Sequence, residues 1–85
     1  MVRDGPRTFV VEVYGDRTTR HLVEVPPVLL EQLGLGDDQA ELLVRESFDF
    51  LLGREPATSI MSEFSLDVIE QYFPEYREVI GRRLS

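Results

Sequence analysis

Apolar and polar side chains alternate most sharply near the start of the chain. Thr8–Tyr14 (TFVVEVY) and Thr19–Val25 (TRHLVEV) are rich in β-branched and aromatic residues, with Gly15-Asp16 between them, a pattern that predicts a β-hairpin. Side-chain parity decides its register. An even-length loop would put Val23 and Val25 on the face of Glu12 and Tyr14. A three-residue loop, or an even loop with a bulge, gathers Phe9, Val11, Val13, His21, Val23 and Val25 on one face and sets Glu12 opposite Arg20 on the other. Burial favours this odd register, although Gly15 is not where a common three-residue loop places its glycine.

After Pro26-Pro27 the apolar period changes from two to between three and four. Pro27 suits a first helical turn, and VLLEQLG reads as a short helix stopped by Gly34. Asp37 or Asp38 can cap a longer helix running to about Leu52, whose apolar positions are Ala40, Leu43, Val44, Phe48, Leu51 and Leu52. Gly53 stops it and Pro56 prevents a restart. ATSIMSE reads as a polar connector from which Ile60 and Met61 plug the core. Ser65 then caps a helix that buries Leu66, Val68, Ile69, Tyr72 and Phe73. Pro74 ends or kinks that helix and opens EYREVIGRRL, where Tyr76, Val79, Ile80 and Leu84 repeat helically.

These elements predict a single α+β domain over residues 1–85, in the order β-β-α-α-α with a possible fourth helix. Residues 1–7 form a flexible N-terminus, 8–25 the hairpin and 27–84 the helical part. Two strands are marginal alone, and helices on one face leave both hairpin edges open. Open edges predict either pairing in a homodimer or a loop covering the edge.

Composition narrows the chemistry. The chain has no cysteine, which excludes disulfides, thiolate metal sites and a cysteine nucleophile. The N-terminus MVRDGPRTF lacks an apolar signal core and no apolar run approaches a membrane span, so the expected compartment is the cytoplasm, with no membrane partner. The net charge of −7 is unevenly spread: residues 24–78 carry thirteen acids against Arg45, Arg54 and Arg77. Such a body repels nucleic acid and anionic membranes at long range, leaving the N-terminal arginines or Arg82-Arg83 as the only places where DNA could be contacted.

Candidate chemistry is sparse. His21 is the sole histidine, so no histidine pair can bind a metal, and a strand histidine tucked against the hairpin explains it without catalysis. None of the five serines lies in a G-x-S-x-G elbow. Gly34-Leu35-Gly36 follows a helix and not a strand, which fits a helix cap better than a phosphate loop. Asp37-Asp38 lack the spacing of a calcium loop. No catalytic, cofactor-binding or metal-binding set is assigned, and the expectation is a protein that is not an enzyme.

Residues 18–53 resemble the ribbon-helix-helix family of DNA-binding regulators and antitoxins, with TTRHLVEV as the ribbon, PPVLLEQLGL as the first helix and DDQAELLVRESFDFLLGRE as the second. The resemblance implies a DNA-binding regulator or antitoxin, with Arg17 and Arg20 as nucleic-acid contacts. Against that use, the outward ribbon positions would include Leu22 and Glu24, which suit base reading beside phosphates poorly. FDFLLGREP and SIMSEFSLDVIEQYFPEY are similar to the ends of small uncharacterised bacterial proteins, which implies no activity.

The function expected first is therefore a small acidic protein-protein interaction module, homodimeric and cytoplasmic. It would bind through its acidic helical surface or through a groove near the C-terminal aromatics. Tyr72, Tyr76 and Arg77 are its candidate protein-binding residues, because tyrosine and arginine are favoured at interface centres. The competing reading has both tyrosines as a lid on the core with their hydroxyls wet.

Overall fold

In the computed structural model, which describes residues 1–84, a four-stranded sheet is combined with four helices. The strands are β1 (Val2–Arg3), β2 (Thr8–Val13), β3 (Thr19–Glu24) and β4 (Glu63–Ser65), and the helices are α1 (Pro27–Leu33), α2 (Ala40–Leu52), α3 (Ile69–Tyr72) and α4 (Tyr76–Leu84). The fold is α+β, but the chain order is β-β-β-α-α-β-α-α. The expected β-β-α-α-α order missed a strand at each end of the sheet.

The hairpin of β2 and β3 takes the odd register: Phe9 lies opposite Val23, Val11 opposite His21, and Glu12 opposite Arg20. Its loop spans the five residues from Tyr14 to Thr18, which keeps the odd parity without requiring a glycine at a three-residue turn. Phe9, Val11, His21, Val23 and Val25 are buried, while Glu12, Arg20 and Glu24 face solvent. Residues 1–7, expected to be flexible, supply β1, where Val2 pairs with Val10 and Arg3 with Phe9. β4 pairs in parallel with β3, Leu22 opposite Glu63 and Val23 opposite Phe64. Both hairpin edges are thus partly covered within the chain. β3, the strand read as a ribbon, lies between β2 and β4.

α1 ends in the motif its glycine predicts. Gly34 adopts φ 71° and ψ 29°, and the N–H groups of Gly34 and Leu35 bond to the carbonyls of Glu31 (3.1 Å) and Leu30 (2.8 Å). Asp37–Gln39 form a 3₁₀ turn ahead of α2, and neither aspartate caps it. Instead the Gln39 Oε1 accepts from the Gly36 N–H at 3.1 Å. Gly53 ends α2 in an ordinary right-handed conformation, φ −74°.

α2 is the central helix, and it is buried on more of its circumference than its apolar spacing indicated. Phe48 faces the sheet, with its ring 5.4 Å from His21 and 6.0 Å from Phe64. Phe50 faces the C-terminal helices, in edge contact with Phe73 at 5.9 Å and Tyr76 at 5.4 Å. Phe50 is fully buried, whereas Leu52, expected in the core, is 42% exposed. Burying a phenylalanine side chain stabilises by about 2–3 kcal/mol, and here the second layer of helices supplies the cover.

Downstream, Ser65 does not cap a long helix. Leu66–Val68 form a 3₁₀ turn, α3 lasts four residues, and Phe73, at φ −131°, ψ 87°, has left the helical region that a following proline disfavours. Pro74 thus breaks the helix where the sequence placed the break. Ion pairs then hold α4 down: Arg83 reaches Asp49 at 2.5 Å and Glu46 at 3.5 Å, both on α2.

Candidate interaction groove beside the C-terminal aromatics

The helix break separates the three residues singled out for binding. Tyr72 and Tyr76 are four apart, a spacing that would share one face of an unbroken helix. With α3 ending at Tyr72 and α4 starting at Tyr76, the phase is reset. Tyr72 is 67% exposed and Tyr76 is completely buried. The Tyr76 hydroxyl lies 2.7 Å from the Ser47 hydroxyl, itself buried on α2. Desolvation is the main reason the Tyr76 phenol is pushed up from 10.0 to about 12, against a smaller lowering by the Ser47 hydrogen bond and by Arg77. Tyr76 is therefore a core residue and can offer no surface to a partner.

Arg77 is half-buried and already engaged. Its guanidinium donates to Glu70 on α3 at 2.8 Å and to the side chain of Gln32 on α1. It clamps three helices together. Of the expected binding trio, only Tyr72 is free to meet another molecule.

Tyr72 stands at the rim of an apolar groove of about 370 Å³. It is lined by Leu51 and Glu55 from the end of α2 and the residues after it, by Ser59, Ile60, Met61 and Phe64, and by Ile69, Tyr72 and Phe73. Ile60 and Phe64 are largely buried, but Met61 is 42% exposed, so of the two residues expected to plug the core only Ile60 does so. Glu55 is the only charged lining residue. Just past the end of α2, the Arg54 guanidinium lies 3.6 Å from the Phe50 ring centroid and 3.5 Å from a Glu75 oxygen, which stiffens that end of the helix.

A concave apolar surface of this size takes a large hydrophobic side chain, and flexible methionine adapts well to such a guest. The signal that could have located it is an apolar pair, Ile60-Met61, inside an otherwise polar connector. A connector has no periodicity to orient its side chains, so the sequence alone does not separate the outward Met61 from the inward Ile60.

His21 packs against Phe48, with ring centroids 5.4 Å apart. Its Nδ1 is 2.7 Å from the Met61 carbonyl, which can only accept, so Nδ1 carries a proton and donates. Nε2 is 2.9 Å from the Thr19 hydroxyl. With both ring nitrogens bonded and the ring 2% exposed, His21 acts as a strut between β3 and the approach to β4. Arg17 and Arg20 are both exposed and belong to different surfaces. Arg17 borders a hollow with Pro56 and Thr58, while Arg20 is on the open face of the sheet opposite Glu12. Among the described residues no group of three or more His, Asp or Glu side chains could hold a metal ion, and no helix is long and apolar enough to cross a membrane.

No protein-family model, curated protein or solved structure matches this chain. Its own geometry and charge carry the functional reading.

Proposed function

We propose that this chain is a non-enzymatic cytoplasmic interaction module that receives an apolar side chain of another protein in the groove beside Tyr72. The observation that carries this reading is the apolar lining of Leu51, Ile60, Phe64 and Ile69, opened to solvent between Met61 and Tyr72. An apolar concavity bordered by a few polar groups is the kind of surface that receives a guest side chain. Tyr72 supplies the flat, amphipathic rim that interface centres favour. The partner segment is basic around its anchor, because Glu55 lies in the groove and the net charge of the chain is −7.

The test is capture from a lysate of the source cells on immobilised wild type, with Met61→Arg and Tyr72→Ala alongside, and light-scattering masses for all three. Met61 and Tyr72 are exposed, so neither substitution should alter the melting temperature by more than a degree or two. The expected result is a protein retained by the wild type and lost with Met61→Arg. Equal retention by wild type and both variants, or no retention, overturns the reading. A wild-type mass of two chains that falls to one in Met61→Arg would instead make a second copy the occupant.

A further inference from the structure

β4 is the last strand of the sheet, and β3 is its only neighbour among the described residues. The parallel pairing decides which of its backbone groups are used. Leu22 lies opposite Glu63, and its N–H bonds to the carbonyl of Ser62 at 2.7 Å. In a parallel ladder a residue bonds to the two neighbours of its opposite number, so Leu22 is tied to Ser62 and Phe64. The N–H and C=O of Glu63 consequently point away from β3, at the free edge, on a residue that is exposed. These two backbone groups are the part of the edge that another strand can pair with.

The two faces beside this edge differ in chemistry. On the inner face, the Phe64 side chain leads into the apolar groove. On the outer face a hollow of about 310 Å³ is bordered by Glu63 and, one strand further in, Glu24. Neither carboxylate forms an ion pair or hydrogen bond among the described residues. A strand laid along β4 would send alternate side chains to the two faces.

We infer that the partner binds by strand addition: an extended segment extends the sheet at β4, bonds to the Glu63 backbone, and alternates apolar with basic side chains. The apolar residue opposite Phe64 enters the groove, and the basic residues on either side of it meet Glu63 and Glu24. This inference rests on the groove being a docking site, and adds to it the backbone geometry and the side-chain pattern of the occupant. Charge complementarity selects such a segment over an acidic or wholly apolar one.

A random dodecapeptide display library, selected on the full chain, tests it. Enriched peptides are expected to alternate apolar and Arg/Lys residues over at least three positions. The best of them, labelled and followed by fluorescence anisotropy, is expected to lose roughly tenfold in affinity on Glu63→Pro, which removes an edge N–H not used by the fold. N-methylation of the peptide opposite Glu63 should cause a similar loss with the protein itself unchanged, so misfolding of the proline variant cannot decide the outcome. Peptides with anchors spaced three and four apart, or binding indifferent to N-methylation, would overturn strand addition while leaving the groove as the site. Binding indifferent to Met61→Arg, or no enriched peptide at all, would overturn the groove reading, and this inference with it.

Discussion

Tyr76 and Ser47 form a hydroxyl pair fully enclosed between α2 and α4, with 2.7 Å between their oxygens. Burial disfavours the phenolate, so the folded chain holds the Tyr76 proton to about 12, whereas the unfolded chain releases it near 10.0. Between those values the unfolded state binds fewer protons than the folded state, and stability therefore falls as pH rises. A two-unit difference corresponds to a loss of about 3 kcal/mol by the time the folded pKa is passed. Tyr76→Phe removes both this liability and the hydrogen bond. The remaining Ser47 hydroxyl can rotate to a carbonyl of its own helix, so the neutral-pH cost should be only about 1 kcal/mol. The two curves should cross: wild type more stable at pH 7, the variant more stable above about pH 11. Denaturant midpoints of both proteins from pH 7 to 12 would check this. Parallel curves would mean that Tyr76 does not retain its proton on folding.

Two glycines close helices in this chain, and they do so by different physics. Gly34 is left-handed at φ 71°, while Gly53 is right-handed at φ −74°. A Cβ on Gly34 would meet nothing within 4 Å, so an alanine there suffers only the backbone penalty. Gly34→Ala should destabilise by about 1 kcal/mol. Gly53→Ala places its Cβ 3.5 Å from the Phe50 carbonyl, an ordinary contact, and should be neutral or stabilise by up to about 1 kcal/mol through the unfolded state. Chemical denaturation of the two variants should move in opposite directions, and a loss at both positions would refute the distinction. The sequence marked both stops but could not tell their conformations apart. It was more informative where side chains repeat. The parity of Phe9, Val11, Val23 and Val25 was enough to select the hairpin register. β4 left no such trace, because three residues with one inward side chain have no period, and its partner β3 lies some forty residues earlier. For the candidate groove, the sequence pointed to the right neighbourhood and to Pro74. It could not show that the break turns Tyr72 outward and Tyr76 inward, nor that Met61 lies beside Tyr72.

At the scale of the molecule, charge and groove divide the work of recognition. The Cα radius of gyration is 12.1 Å and the net charge is −7. At 10 mM salt the screening length is about 30 Å, comparable to the 36 × 28 × 19 Å dimensions of the molecule, so an approaching basic segment experiences most of the charge. At 150 mM it is about 8 Å, and only the carboxylates nearest the site, Glu55, Glu63 and Glu24, still act. Attraction over distance changes the rate of encounter, while contacts made after docking determine how long the complex lasts. For a basic peptide selected on this chain, the association rate constant should fall roughly tenfold from 10 to 150 mM salt, and the dissociation rate should change little. Met61→Ala should do the reverse, shortening the complex lifetime without altering the salt slope, because it removes groove contact and no charge. Stopped-flow fluorescence at four salt concentrations would separate the two. If salt dependence appears mainly in dissociation, the acidic surface is gripping the peptide in the bound state. If association is flat with salt, the acidic body takes no part in recognition, and the groove selects its partner by shape and strand pairing alone.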